Sequence, residues 1–170
     1  MSHAPRLDTP RLVLEGHRGD DLDALAAMWL DPAVFGGIGG RPRPREEVWI
    51  RLLRSVGTWT MFGYGSWVVR NRAGDRVIGE VGLLESRRDL VPPLAVPEMG
   101  WVMASEVHGR GLAHEALDAV LGWCDAGRIA RTTCIIAPDN AASLRLADRV
   151  GYRPIRDAAY HDRTVVVLER

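Results

Sequence analysis

The segment His108-Gly109-Arg110-Gly111-Leu112-Ala113-His114-Glu115-Ala116 sets two glycines between an apolar run, Met99 to Met103, and a helix-patterned stretch. From Leu112 onward the apolar residues fall at Leu112, Ala113, Ala116, Leu117, Val120, Leu121 and Cys124. That stripe predicts a helix with one buried face. Gly109 and Gly111 leave its entry bare of side chains, so several backbone N–H groups can point at one ligand. A helix start also carries roughly half a positive charge. Strand, glycine turn and helix start together make an anion site, most often for phosphate. Two familiar phosphate loops are excluded. The chain has no lysine for a P-loop, and His114 stands where a dinucleotide fingerprint needs its third glycine. Two glutamates complete the chemistry-bearing set. Glu98 alternates with Gly100 and Val102 on one face of the expected strand, and Glu80 lies between Gly79 and Val81-Gly82 in another. A carboxylate in a buried strand is costly unless it is used or paired. Glu98 is therefore either a proton acceptor or the partner of an arginine, and Glu80 is a second candidate acceptor. Facing one cavity, the two would raise each other's pKa.

The glycine turn resembles the Gln/Arg-x-x-Gly-x-Gly/Ala pyrophosphate loop of the GNAT acetyltransferases, with His108, Gly111 and Ala113 at the three defining positions. Histidine at the first of them departs from the pattern. Glu98-Met99-Gly100-Trp101 and Pro138-Asp139-Asn140-Ala141-Ala142-Ser143 are similar to the RimJ/RimL branch, which acetylates ribosomal-protein N-termini, and the resemblance runs from Thr9-Pro10-Arg11-Leu12 to the last strand. It implies the GNAT fold: mixed α/β, with a mostly antiparallel twisted sheet of six or seven strands and about four helices. It also implies acetyl-CoA as co-substrate, and an N-acetyltransferase that moves the acetyl group to a primary amine within a ternary complex. By the resemblance, the pyrophosphate rests on His108, Gly109, Arg110, Gly111, Leu112 and Ala113. Val102, Met103 and Ala104 offer backbone groups to the pantetheine arm like an added strand, and Asn140 contacts the same arm. Glu98, at the start of the strand that lines the acetyl group, is the first candidate base and Glu80 the second. Ser143 is the candidate partner of the departing sulfur. Ala147 stands where many GNAT enzymes have a tyrosine for that task. A bland reading accompanies each of these. Asn140 and Ser143 cap a helix, and His108 and His114 take no part in proton transfer.

The acceptor is the least legible element. The resemblance puts Phe35 to Pro44, Ser86 to Pro97 and the last strands around it, and Trp29, Phe35 and Trp67 are the expected aromatic contacts. The first segment holds Arg41 and Arg43, and the second holds Arg87 and Arg88 against only Asp89. A polycationic acceptor would call for an acidic cluster instead. A peptide N-terminus or small mono-amine, beside a carboxylate or a neutral body, suits this charge pattern. A CoA-binding or regulatory module without chemistry is the competing reading. A nucleotide-dependent oxidoreductase lacks its ribose-binding acid.

Composition sets the frame. The 170 residues carry 22 basic and 22 acidic side chains, all the basic ones arginine, so nothing draws the chain as a whole to nucleic acid or to an anionic membrane. At this length a single domain, 1–170 with a core of about 9–169, buries about 70% of its unfolded surface. No apolar run is long enough to span a membrane or to form a signal-peptide core, so a cytoplasmic monomer or homodimer is expected. Cys124 and Cys134 read as small core residues, and His17 and His161 lack a metal-site pattern, so no metal is expected.

The positioning elements follow from pattern and punctuation. Strands are expected at Arg11–Glu15, Tyr64–Arg70, Arg76–Leu84, Glu98–Ala104 and Arg131–Ala137, with Tyr160 and Thr164–Leu168 completing the sheet. Helices are expected from Asp20-Asp21 to Asp31-Pro32, over Val48–Val56, from Leu112 to a stop at Gly127, and from Asp139 or Asn140 to Gly151. Asn71 to Asp75 is the turn of a hairpin, and the proline-rich Ser86–Pro97 is an excursion.

Overall fold

The computed structural model describes residues 3–127 and 129–170. Eight strands form one sheet: β1 (Leu7–Asp8), β2 (Leu12–Glu15), β3 (Ser66–Asn71), β4 (Arg76–Leu84), β5 (Glu98–Met103), β6 (Thr133–Ile136), β7 (Arg153–Tyr160) and β8 (Arg163–Glu169). Their order is β1-β2-β3-β4-β5-β6-β8-β7. Every neighbouring pair is antiparallel except β5 and β6. Those two run parallel and are in register only at Glu98 and Thr133, after which the sheet has a gap. Among the described residues five α-helices flank it: α1 (Leu22–Leu30), α2 (Pro32–Phe35), α3 (Arg45–Phe62), α4 (Leu112–Asp125) and α5 (Ala141–Arg149).

The eight strands and five helices stand against the expected six or seven and about four; β1 and β7 are the strands the pattern did not mark. β1 is too short to leave a pattern. β7 holds Arg153, Arg156 and Asp157 and is mostly exposed, so it lacks the apolar alternation that marked the others. The α3 helix continues six residues past Val56 because Gly57 is tolerated inside it, and it stops at Gly63 in the left-handed region, φ 72°. The α2 helix is a single turn capped by Asp31, whose side chain accepts from Ala33 N at 2.9 Å.

Strand alternation divides the helices between the two faces. Trp67 points toward α4, meeting Trp123 edge-on at 5.4 Å, and Trp59 of α3 joins them. Its neighbour Val68 points the other way, on the face it shares with its register partner Glu80. There α1 and α3 pack against the sheet, with Ser66 Oγ donating to Ser55 Oγ of α3 at 3.0 Å. Burial follows the same division. Leu12, Leu14, Val69, Leu83 and Met99 form the layer under α4 together with Ala116, Leu117 and Val120.

Candidate active site

The gap between β5 and β6 positions everything that follows. In an antiparallel ladder alternate residues turn their N–H and C=O groups to opposite edges. Ala104 N donates to Ile78 O on the β4 side, whereas Pro97 O accepts from Thr133 N on the β6 side. By that alternation Trp101 and Met103 turn their backbone groups into the gap, where an extended chain can add as a strand. The Met103 carbonyl already has a partner there, His108 Nε2 at 2.9 Å. Of the expected Val102, Met103 and Ala104, Met103 turns its backbone groups into the gap, whereas Val102 and Ala104 turn theirs to β4.

The glycine turn closes the mouth of this gap. Gly109 and Gly111 sit at φ 72° and 74°, and Gly111 is the N-cap of α4. Its carbonyl accepts from Glu115 N at 3.2 Å, so the preceding N–H groups are those a helix start leaves without an intrahelical partner. A Cβ on Gly109 would meet nothing within 4 Å, and one on Gly111 only the Arg11 guanidinium at 3.7 Å. The turn is thus free of protein atoms around the Cβ positions of both glycines. Glu115 holds the turn in place by accepting from Thr9 Oγ1 (2.6 Å), Arg11 N (2.8 Å) and Arg11 Nε (2.6 Å). The Arg110 carbonyl accepts from Arg11 as well, at 3.0 Å.

Asn140 and Ser143 stand at the start of α5, just beyond the end of β6. Asn140 Oδ1 accepts from Ser143 N at 3.1 Å and caps the helix, while its Nδ2 donates to Gly37 O at 2.9 Å. The cap thus ties α5 to the glycine segment after Phe35, across the open end of the gap. Ser143 is partly buried.

The two glutamates differ in their surroundings. Register puts Glu80 opposite Val102 and Glu98 opposite Leu84, on one face but four residues apart, about 13 Å along the strands. Glu98 lies at the closed vertex of the gap, and both its oxygens are taken by Arg88, each at 2.7 Å. Arg88 also donates to Tyr160 Oη at 2.8 Å and lies over its ring. This ion pair matches the arginine-partner reading left open for Glu98 beside the general-base one. A strand carboxylate reads the same in sequence whether it is used or paired, and its partner comes from the proline-rich excursion. Glu80 is 8% exposed; it is bonded by His17 Nε2 at 2.9 Å and by Trp29 Nε1 at 3.0 Å. Burial alone would raise its pKa. The His17 hydrogen bond, the His17 and Arg51 charges and the Trp29 N–H outweigh burial and hold it at about 2. Glu80 therefore does not carry the raised pKa that two carboxylates facing one cavity would give.

Of the three aromatic residues expected at the acceptor, Trp29 faces Glu80 and Phe35 ends α2 beside the Gly37 contact. Trp67 is a correction. It is fully buried on the α4 face, its indole N–H donates to Pro5 O at 2.7 Å, and it belongs to the core. Tyr64–Arg70 showed an apolar strand without showing which face each residue takes. Sequence reading missed His17, which partners Glu80, and Arg51 and Arg54, which adjoin the buried positions Leu52 and Ser55 of α3. Arginines flanking an apolar helix stripe were the only signal.

The remaining titratable groups stand apart. Burial pushes the Cys124 thiol up to about 11 and Cys134 higher still, so both are inert core residues. His114 pairs with Asp118 at 2.9 Å along α4, and the His161 ring lies tilted against Tyr160 in the turn after β7. Among the described residues no group of three or more His, Cys, Asp or Glu side chains could hold a metal ion, and no helix is long and apolar enough to cross a membrane.

Residues 11–153 match the family model described as the acetyltransferase (GNAT) domain. The chain belongs to the GNAT acetyltransferases. A protein described as a GnaT-family acetyltransferase, from Bordetella pertussis, is 33% identical, covers 98% of this chain and 99% of its own, and superposes with a TM-score of 0.85. An acetyltransferase from Agrobacterium tumefaciens strain C58 is 24% identical over 100% of this chain and 96% of its own, with a TM-score of 0.84. RimL, the ribosomal L7/L12 α-N-protein acetyltransferase solved with coenzyme A, shares the fold at a TM-score of 0.79 and 14% identity, over 98% and 97% of the two chains. The GNAT acetyltransferases use acetyl-CoA as co-substrate. The β5–β6 gap and the open Gly109–Gly111 cradle fit that co-substrate.

Proposed function

We propose that this GNAT enzyme acetylates the primary amine of a peptide N-terminus or of a small mono-amine, by direct attack in a ternary complex. The observation that carries this reading is the position of Glu80, Trp29 and Val102. The face on which α1 and α3 pack reaches the strand edge that borders the gap, so an amine held on that face, outside the buried Trp29 and the Arg43 and Arg51 guanidiniums that cover it, lies beside the thioester arm. The acetyl thioester, when bound, supplies an acyl group activated for aminolysis. The Trp101 backbone and the Met103 N–H align its arm. The first turn of α4 holds the pyrophosphate, and Asn140 fixes the start of α5 so that Ser143 presents its hydroxyl to the departing sulfur.

Neither glutamate takes the amine's proton in this reading. Glu98 is bound to Arg88, and Glu80, with a pKa near 2, is a weak acceptor. An α-amine with a reference pKa of about 8 supplies an adequate neutral fraction at pH 7 and loses its proton to water before attack. Glu98→Gln is therefore expected to change kcat by less than about tenfold. A positioned base would cost about 10²–10⁴-fold. CoA release with a panel of peptides, amino acids and polyamines reads both points. Turnover of a mono-amine by wild type and by Glu98→Gln supports the reading. A collapse of the variant returns the base to Glu98, and preference for polyamines overturns the acceptor class.

A further inference from the structure

Four loop arginines stood near the expected acceptor, and the structure spends three of them. Arg41 pairs with Glu47 through two bonds of 3.0 and 2.9 Å, Arg87 with Glu85 at 2.8 Å, and Arg88 with Glu98. Arg43 is left, 3.7 Å from the Glu47 that Arg41 already holds. Two arginines of α3 join it. The Arg43 and Arg51 guanidiniums lie over the Trp29 ring, 4.9 and 4.6 Å from its centroid. Their Nε atoms are buried without a hydrogen-bond partner. Among the described residues neither Arg51 nor Arg54 has a carboxylate within 4.0 Å.

The patch thus holds an excess of cations, and the guanidiniums register it. Desolvation and the neighbouring charges of Arg51 and Arg41 lower the pKa of Arg43. Desolvation and the charges of Arg51 and Arg88 do the same at Arg54. Glu47 is already held by Arg41, and Glu80, whose charge acts on Arg54, is bonded by His17 and Trp29. Planar guanidiniums stacked on an indole, with N–H groups unspent, are suited to an oxyanion. Their place is set by a short chain of contacts. Arg51 lies on Trp29, Trp29 bonds Glu80, and Glu80 is the register partner of Val102 beside the gap.

We propose that Arg43, Arg51 and Arg54 select an acceptor that carries an oxyanion, a carboxylate or a phosphate, close to its reacting amine. The proposal rests on the acetyl-transfer reading above and adds the acceptor's charge to it. Cations there also disfavour an ammonium, so the same patch favours the neutral, reactive amine.

Matched acceptor pairs test it. Glycine against glycinamide, a peptide beginning Asp against one beginning Asn, and phosphoethanolamine against ethanolamine separate a free α-carboxylate, a side-chain carboxylate and a phosphate. In at least one pair the anionic member should have a kcat/KM, expressed per neutral amine to remove the difference in amine basicity, tenfold or more higher. Arg51→Gln should remove most of that preference through KM, with acetyl-CoA affinity unchanged by calorimetry, and Arg51→Lys should restore part of it. If Arg51→Gln is unstable, Arg54→Gln reads the same preference. Equal use of both members of every pair would overturn the proposal while leaving acetyl transfer intact. A loss of acetyl-CoA affinity in Arg51→Gln would also overturn it, assigning the patch to the co-substrate's phosphates. If no amine turns over, the transfer reading has failed. Calorimetry of N-acetyl-Asp and N-acetyl-Asn peptides on the CoA complex then still reads the preference, and equal affinities would overturn it.

Discussion

Gly111→Val is expected to lower acetyl-CoA affinity by at least about a hundredfold, the largest single effect among the binding residues. Two costs combine. Gly111 caps α4 at φ 74°, a conformation that costs a non-glycine residue of order 1–3 kcal/mol and is worst for a β-branched one. The open cradle, where a Cβ would meet only the Arg11 guanidinium, would also be filled by methyl groups at the point where the backbone N–H groups must reach a phosphate. Arg110→Ala should cost far less, because the backbone and the helix end hold the anion and that side chain is exposed. Calorimetry with acetyl-CoA distinguishes the two variants. Wild-type affinity in Gly111→Val would move the pyrophosphate elsewhere.

Arg88→Ala is expected to cost about 3 kcal/mol of stability at pH 7. Removing one partner of a buried ion pair costs about 3–5 kcal/mol because the other is left buried and uncompensated. The lower end applies because the Arg88 side chain keeps 21% exposure, against 6% for Glu98. The stranded carboxylate would lie at the vertex where β5 and β6 part. Adding Glu98→Gln should therefore recover much of the loss, since a neutral amide is far cheaper to bury than an unpaired charge. Urea unfolding of the two single variants and the double variant measures the coupling. A loss below about 1 kcal/mol in Arg88→Ala, or no recovery in the double variant, would show that the pair does not carry the vertex.

These two sites mark how far the sequence could be read. The glycine turn was legible because its signal is local. A positive φ, a bare entry and a helix stripe all fall within nine residues, and their chemistry does not depend on distant partners. The Asn140 cap was legible for the same reason, whereas its second bond to Gly37 depends on a segment 103 positions away. Glu98 and Glu80 were legible as buried strand carboxylates and illegible in function. Arg88 and His17 reach them from loops whose paths no periodicity encodes. Trp67 was misplaced because a run such as Ser66-Trp67-Val68-Val69 is buried on both faces and so carries no alternation to fix its phase. The charged strand β7 escaped for the opposite reason: only its pairing with β8 shows it to be a strand.

The most direct test of the central claim is the pH dependence of kcat/KM for an α-amine acceptor, followed as CoA release. That parameter reports ionisations of the free enzyme and the free acceptor. With the amine supplying its own neutral form, it should rise tenfold per pH unit and level off near the amine's own pKa of about 8, with no earlier inflection. A plateau already reached at pH 6, or acetyl-CoA binding without turnover at any pH, would contradict the account.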